Sequence, residues 1–360
     1  MTAIPNIVLI AGLVIGLVFG AVALPSGFCL ASGLRNWWTE GDSRLIRSFA
    51  LALAVAIVGT QMLAAGGLVD LGQSIYLAPS FSAALILCGG SLFGYGMVAA
   101  NGCVSRALVL LGCGNLRSLV VVATVAVSAE VTLKGLLAPV RIALLQWSQT
   151  TLKMRSLPDL LAAHGLAGAP ARLLAAAAVA GLLSVFVFAH APFRRATGQI
   201  AAGIAIGLLI PAGWFATGYL GADPFNPAPA ASLTFVAPSA DSLQYAMFST
   251  GSTLSFGVTV VAGVLLGSFI SALATRHFRV EGYESAGHML RSIGGAALMG
   301  SGGAMAYGCT VGQGLTGLST LALPSVLAVT GILIGAGAAL HSPIGISGLA
   351  SASPATARRS

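Results

Sequence analysis

Three cysteines lie in glycine-containing phrases that would interrupt a helix. They are Cys29 in PSGFCL, Cys103 in NGCVSR and Cys309 in GCTVGQ. A thiol is a weak S–H donor and a polarizable sulfur acceptor, so it suits a soft, sulfur-containing ligand better than a hard, strongly hydrated one. Backbone N–H groups freed beside Gly102 and Gly308 would suit an anion. The phrases therefore predict a site for a sulfur-containing anion.

The other two cysteines carry a weaker signal. Cys88 lies inside an apolar run, and Cys113 precedes Gly114 at the edge of a hydrophobic segment. We expect both to be small buried apolar side chains, which is the ordinary role of a free cysteine. An odd total of five cysteines also argues against a disulfide framework.

The composition determines which elements must position these thiols. Of the 360 residues, 57% are apolar and only 7% are charged, against about 25% in a soluble domain. So few charged side chains cannot cover the surface of a soluble protein, and the net charge of +8 is scattered rather than clustered, which disfavours nucleic acid as a partner. We predict an all-α polytopic membrane protein, a single membrane domain over residues 1–360 in contact with lipids.

About nine stretches approach the 20 apolar residues that a spanning helix needs. They are Ile7–Leu24, Leu45–Leu63, Phe81–Ala100, Leu116–Leu137, Leu173–His190, Ile200–Leu220, Ser255–Ala274, Leu290–Tyr307 and Leu321–Leu340. Nine spans with the first loop inside put 12 basic residues in the cytoplasm and five outside. The positive-inside rule then predicts a periplasmic N-terminus and a cytoplasmic C-terminus.

Two stretches repeat at an offset of 206 positions. Gly94, Gly96, Gly102 and Cys103 correspond to the same residue types at 300, 302, 308 and 309, and a weaker echo at an offset of 187 relates Gly16 and Gly20 to 203 and 207. In the nine-span topology the repeat is inverted. We predict a first half over 1–137, a connector with one span over 138–195, and a second half over 196–345. Inverted repeats with broken helices place binding sites near the bilayer midplane.

Other chemistry is disfavoured. The five histidines form no helical i, i+4 ligand pair, three thiolates on a metal would need charge compensation, and the chain has no Walker-type loop. We therefore expect no metal and no cofactor. Glu130 lies inside the fourth span, where pairing with Lys134 one turn later is favoured over a role in a proton relay.

The phrases together resemble the YeeE/YedE family of membrane proteins that take up sulfur compounds, best known for thiosulfate. The resemblance covers nearly the whole chain and rests on GFC ending at Cys29, NGCVSR from Asn101, GNLRSL from Gly114 and GCTVGQGLTG from Gly308. It implies an hourglass-like inverted-repeat fold in the bacterial inner membrane. It also implies that thiosulfate passes along Cys29, Cys103 and Cys309 by S–H···S contacts, to a small TusA-like cytoplasmic sulfurtransferase.

Neighbouring residues of the same phrases are predicted to bind substrate or support the pore. They are Gly27, Asn101, Gly102, Arg106, Gly308, Thr310 and Gln313. Two alternatives stay open beside a permease: a membrane sulfurtransferase forming a cysteine persulfide, and an accessory subunit of a transporter for another sulfur or selenium compound. The chain lacks a soluble catalytic domain, which counts against an enzyme.

Five basic residues fall on the outer side of the predicted topology: Lys134, Arg141, Lys153, Arg155 and Arg172. Some of them could raise the local concentration of a dianion at the mouth of the path. Alternatively, Lys153 and Arg155 solvate a surface helix around Trp147–Met154.

Overall fold

The computed structural model describes residues 3–151, 154–163, 165, 168–222, 230–283 and 285–342. The described chain is almost entirely helical. Its α-helices are α1 (Ala3–Ser26), α2 (Leu30–Glu40), α3 (Arg44–Ala65), α4 (Ala83–Ala99), α5 (Val104–Gly112), α6 (Leu116–Leu133), α7 (Ala138–Trp147), α8 (Leu157–Ala163), α9 (Ala169–Phe188), α10 (Ala191–Arg194), α11 (Thr197–Phe215), α12 (Val236–Met247), α13 (Phe256–Ala274), α14 (Ala286–Met305) and α15 (Leu323–Leu340). Short 3-10 helices cover Leu71–Gln73 and Ile75–Leu77, and π-helices cover Ala216–Leu220 and Gly312–Gly317.

Eight helical segments in the described residues are long and apolar enough to cross a membrane, which confirms the all-α polytopic class. Two of these segments contain an interruption, since α1 continues into α2 over Ile7–Glu40 and α4 continues into α5 over Ala83–Gly112. The remaining predicted span, Leu290–Tyr307, corresponds to α14, a 20-residue helix whose glycine and serine content makes it less apolar than the rest. It nevertheless packs along both α4 and α6.

Polar side chains cap the N-terminal ends of several long helices. Ser82, Asn115, Ser255 and Ser285 each accept a hydrogen bond from a backbone N–H of the first turn that follows. Such N-caps satisfy donors that would otherwise lack a partner at the helix end. The caps therefore fix where α4, α6, α13 and α14 begin.

The helices pack through glycine, and equivalent glycines of the two repeats contact reciprocal partners. Gly16 and Gly20 of α1 lie against α13, while their counterparts at 203 and 207 in α11 lie against α3. Gly94 of α4 lies against the backbone of α15, while Gly300 of α14 lies against that of α6. A twofold relation between two halves produces this exchange of partners. It supports the predicted repeat, whose boundaries at 137 and 195 stay a prediction.

The prediction of a surface helix around Trp147–Met154 is wrong. Helix α7 ends at Trp147, and Thr150–Thr151 forms a two-residue strand, β2, paired antiparallel with β1 at Ser80–Phe81. The strand pairing is possible because two threonines favour extended backbone. Lys153 lies outside the described residues.

Candidate functional site

Each of the three predicted cysteines follows the same kind of turn. Gly27, Asn101 and Tyr307 have φ of 62°, 61° and 56°, and each lies two residues before a cysteine. A left-handed residue ends a helix, and for a residue as bulky as tyrosine it is uncommon. The chain then turns into a new helical segment that begins at or just after the thiol. Cysteine therefore occupies the N-terminal end of a short helix three times.

The backbone N–H groups of Gly102 and Gly308 themselves are not available to an anion. Gly102 N–H donates to Met97 O at 2.8 Å, and Gly308 N–H donates to Gly303 O at 2.9 Å. These bonds close the preceding helices. The donors that face away from a helix are instead those of the first turn after each cysteine.

Both glycines make room for a long side chain of the following turn. A Cβ at Gly102 would lie 3.1 Å from Arg106 Cδ, and a Cβ at Gly308 would lie 3.1 Å from Gln313 Cγ. Either contact is tighter than nearly all real Cβ contacts. The glycines thus allow Arg106 and Gln313 to fold back over the break.

The three thiols, together called the thiol cluster below, are all buried in one core. Cys29, Cys103 and Cys309 are 4%, 1% and 1% exposed and belong to the same core. Cys29 Sγ lies 3.5 Å from Cys103 Sγ, and Cys103 Sγ also lies 3.2 Å from Ser105 Oγ. The Thr310 side chain of the third phrase also lies close to the Cys103 thiol. The third phrase therefore meets the first two at Cys103.

Cys309 is oriented by its own turn. The N–H of Gly312 donates to Cys309 Sγ at 3.3 Å, so this sulfur caps the π-helix that follows. The Tyr76 side chain, 5% exposed, packs beside the same segment from the 3-10 helix Ile75–Leu77. Its ring stands edge-on to Trp214 with centroids 6.3 Å apart. Tyr76 escaped sequence analysis because it lies in an irregular loop without a motif.

Two arginines join the first and second breaks. Arg106 donates to Ser32 Oγ, and Arg35 donates to Asn101 Oδ1 at 2.5 Å. Both are half-buried and next to the Cys29–Cys103 pair. A positive side chain at the N-terminal end of a helix adds to the positive end of its dipole. The site consequently favours an anion.

Gln313 braces the third break. Its Nε2 donates to Ala306 O at 2.5 Å. The residue as a whole is only 2% exposed. Its Oε1 accepts no hydrogen bond from any residue that the structure describes. Thr316 Oγ1, one turn later, donates to Leu233 O at 2.6 Å. The π-helix is thereby tied both to its own break and to the segment before α12.

The remaining cysteines lie away from this cluster. Cys113 is buried, as expected, and its thiol donates to Val109 O at 3.3 Å. Cys88 is exposed on α4, so the expectation that it is buried is wrong. An exposed cysteine on a membrane helix faces the lipid, which is as compatible with an apolar thiol as a core is.

Two cavities are lined by basic side chains. One, the Arg117 cavity, has a volume of about 130 Å³ and is lined by Asn101, Gly102, Arg106, Asn115, Arg117, Ser118, Tyr283, His288 and Ser292 together with apolar residues. The other, the Arg172 cavity, has a volume of about 330 Å³ and is lined by Gln61, Asp70, Leu71, Gly72, Leu77, Arg155, Ser156, Pro158, Asp159, Arg172 and Thr320. Helix α14 begins at the first cavity, and its continuation past Cys309 reaches the second at Thr320. Along the chain, Cys309 thus lies between His288 of the first cavity and Thr320 of the second.

The basic residues predicted to lie on the outer side have different roles. Arg155 and Arg172 line the Arg172 cavity, where their Nη1 atoms donate to Leu77 O and Ala64 O. Lys134 is paired with Glu130 at 3.4 Å, as predicted, and with Asp241 at 3.0 Å. Burial disfavours the ammonium, but these acidic partners outweigh burial and raise the pKa of Lys134. Its charge is therefore neutralised rather than offered to a passing anion.

The fold and the site together define a class: a polytopic helical membrane protein whose helices are interrupted beside buried thiols. The chain belongs to the sulphur-transport family, YeeE/YedE, whose sequence profile matches residues 25–338. Members of this family transport sulfur compounds and are not enzymes, so the sulfurtransferase alternative falls away.

Two relatives extend along most of the chain. The thiosulfate transporter TsuA of Escherichia coli K12 is 26% identical over 333 residues, which cover 85% of this chain and 86% of that protein. The thiosulfate transporter TsuA of Spirochaeta thermophila is 24% identical over 348 residues, covering 90% of this chain and 96% of that protein. The family match over residues 25–338 includes all three cysteine phrases.

Proposed function

We propose that this protein takes up thiosulfate, or a similar sulfur-containing anion, across the bacterial inner membrane along Cys29, Cys103 and Cys309. The observation that carries the proposal is the meeting of three broken helices at Cys103, where a second thiol lies 3.5 Å away. Soft thiols recognise the terminal sulfur of thiosulfate, which sulfate lacks. The names of the two relatives support the same substrate.

The anion is stabilised without a covalent bond. Each thiol donates S–H to the anion, and the first-turn N–H groups of the short helices supply partial positive charge. Arg106 adds a full charge beside the Cys29–Cys103 pair. These contacts replace water around a dianion whose burial would otherwise cost several kcal/mol. Gly27, Asn101, Gly102, Gly308, Thr310 and Gln313 hold the breaks in the shape that presents the thiols.

The route begins at the Arg172 cavity and ends at the Arg117 cavity. Cys309 lies on the segment that leads to Thr320, so the anion meets Cys309 before Cys103 and Cys29. With the N-terminus periplasmic and the C-terminus cytoplasmic, this direction is import. A small cytoplasmic sulfurtransferase of the TusA type then receives the anion.

The test is uptake of radiolabelled thiosulfate by cells without other sulfur importers. Cys103→Ala and Cys309→Ala are expected to abolish uptake while the protein still inserts and purifies. Cys88→Ala is the matched control, because its thiol lies away from the cluster, and should transport like the wild type. Wild-type uptake by both Cys103→Ala and Cys309→Ala would overturn the proposal.

A further inference from the structure

The Arg117 cavity has the features of a binding site in its own right. Arg106, Arg117 and His288 line it together with the polar groups of Asn115 and Ser292. Three basic side chains from three different helices, α5, α6 and α14, thus surround one space. A volume of about 130 Å³ corresponds to roughly four water molecules. The space therefore accommodates a small polyatomic ion.

The N-terminal ends of two long helices lie at the same cavity. Helix α6 begins at Leu116 after the Asn115 cap, and α14 begins at Ala286 after the Ser285 cap. Their first turns include Arg117 and His288, so the positive ends of two dipoles add to the side-chain charges. The carboxylate of Glu281 accepts from Asn115 Nδ2 at 3.3 Å and lies exposed at the rim.

The loop before α14 holds this arrangement in place. Arg117 Nε donates to Gly282 O, and Tyr283 OH donates to Arg117 O at 3.2 Å. The Tyr283 ring stands edge-on to His288 with centroids 5.6 Å apart. Leu116 N–H also donates to Glu281 O at 2.9 Å. The basic residues are therefore preorganised before any ligand arrives, which lowers the cost of binding.

The cavity adjoins the thiol cluster. Asn101 and Gly102 line it, and Gly102 directly precedes Cys103. A second, much smaller space at the same break is lined by Ser32, Arg35 and again Asn101 and Gly102. The Arg117 cavity and this smaller space thus share the two residues that directly precede Cys103.

We propose that the Arg117 cavity is a second anion site, which binds a divalent sulfur oxyanion through its oxygens after the thiols have released it. The inference rests on the proposed function and adds a site of different chemistry. The thiols select for a soft sulfur atom, whereas guanidinium and N–H groups recognise charge and oxygen. Sulfate, which has no terminal sulfur atom, therefore occupies this site as well as thiosulfate does.

The test is protection of Arg117 from an arginine-specific dicarbonyl reagent, phenylglyoxal. Purified full-length protein is labelled with and without thiosulfate or sulfate, and modification at each arginine is measured by mass spectrometry. At ten times the dissociation constant, either anion is expected to slow labelling of Arg117 by roughly tenfold. Arg276, an exposed arginine outside the cavity, is the control and should be labelled at an unchanged rate. Protection should persist in Cys29→Ala, because the site does not use thiols.

A transport measurement gives the second readout. In proteoliposomes, Arg117→Gln is expected to raise the thiosulfate concentration for half-maximal exchange from the Arg117-cavity side by at least roughly tenfold. Arg117→Lys keeps the charge and should restore part of the affinity, whereas Arg276→Gln should change nothing. Unchanged Arg117 labelling in a preparation that transports thiosulfate would overturn the second site and leave the proposed function standing. Absence of transport by a correctly folded wild type would overturn the proposed function instead.

Discussion

Cys29 Sγ and Cys103 Sγ lie 3.5 Å apart, although 74 positions separate the two residues in the chain. The contact joins the break between α1 and α2 to the break between α4 and α5. Both residues begin a short helix, and both follow a left-handed residue by two positions. Two turns of the same shape thus present two thiols to the same point.

This distance predicts that Cys29 and Cys103 form a disulfide under mild oxidation. An S–S bond of ~2.05 Å needs an approach of roughly 1.5 Å between the two sulfurs. Treatment with copper phenanthroline should yield a Cys29–Cys103 peptide pair by mass spectrometry and stop thiosulfate uptake, and dithiothreitol should restore uptake. Cys113 should remain unpaired. A dominant link between Cys103 and Cys309 would show that the cluster has another arrangement.

Gly102 and Gly308, which directly precede thiols, are predicted to tolerate a larger side chain far less well than an exposed glycine does. Gly102→Leu and Gly308→Leu should lose most uptake, because the added side chain displaces Arg106 or Gln313 from the break. Gly181→Leu is the control, since a Cβ there meets nothing within 4 Å. Uptake is measured alongside protein yield. Equal losses in all three variants would assign the glycines a general packing role.

Arg155 and Arg172 are predicted to raise the rate at which the anion enters. Replacing both by Gln should slow uptake several-fold at low ionic strength and much less at 0.5 M salt, because the Debye length shortens from about 30 Å at 0.01 M to a few ångströms. Arg141→Gln is the matched control, since Arg141 donates to Thr132 O and does not line the Arg172 cavity. A double variant that equals the wild type at low salt would exclude steering.

The α4–α15 contact is predicted to contribute directly to stability. A Cβ at Gly335 would collide with Ser91 O of α4, whereas a Cβ at Gly337 meets its nearest atoms, in Trp38, at 3.9 Å. Gly335→Ala should therefore lower stability by roughly 1–3 kcal/mol, as overpacked cores do. Gly337→Ala should be neutral or slightly stabilising. Thermal unfolding in detergent compares the two, and equal midpoints would contradict the packing argument.

Much of the fold was accessible from the sequence because lipid imposes simple rules. Apolar runs of about 20 residues can only be helices there, so the spans were placed to within a few residues. The phrase ending at Cys103 and its copy at Cys309 predicted helix breaks, and both breaks occur. The length of its apolar run also identified α14 as a span, although its glycines make it the least apolar of the predicted spans.

The contacts within the site depended on tertiary structure that no local pattern encodes. Arg35 lies just after the first cysteine phrase, but nothing in its spacing indicates that it bonds Asn101, 66 positions away. Tyr76 has no motif, since a loop of two 3-10 turns positions it. The sequence shows that a helix breaks beside Gly102 and Gly308, but not which N–H groups each break uses to close its own hydrogen bonds.

The reciprocal glycine contacts limit where this transporter can move. Backbones that touch along α1 and α13, and along α4 and α15, leave no side-chain layer to slide or repack. Large rocking of one half against the other would have to separate these surfaces. Opening is therefore confined to the few residues at the three breaks, where short segments carry the thiols. The protein thus combines closely packed, rigid spanning helices with a small deformable region at the three helix breaks.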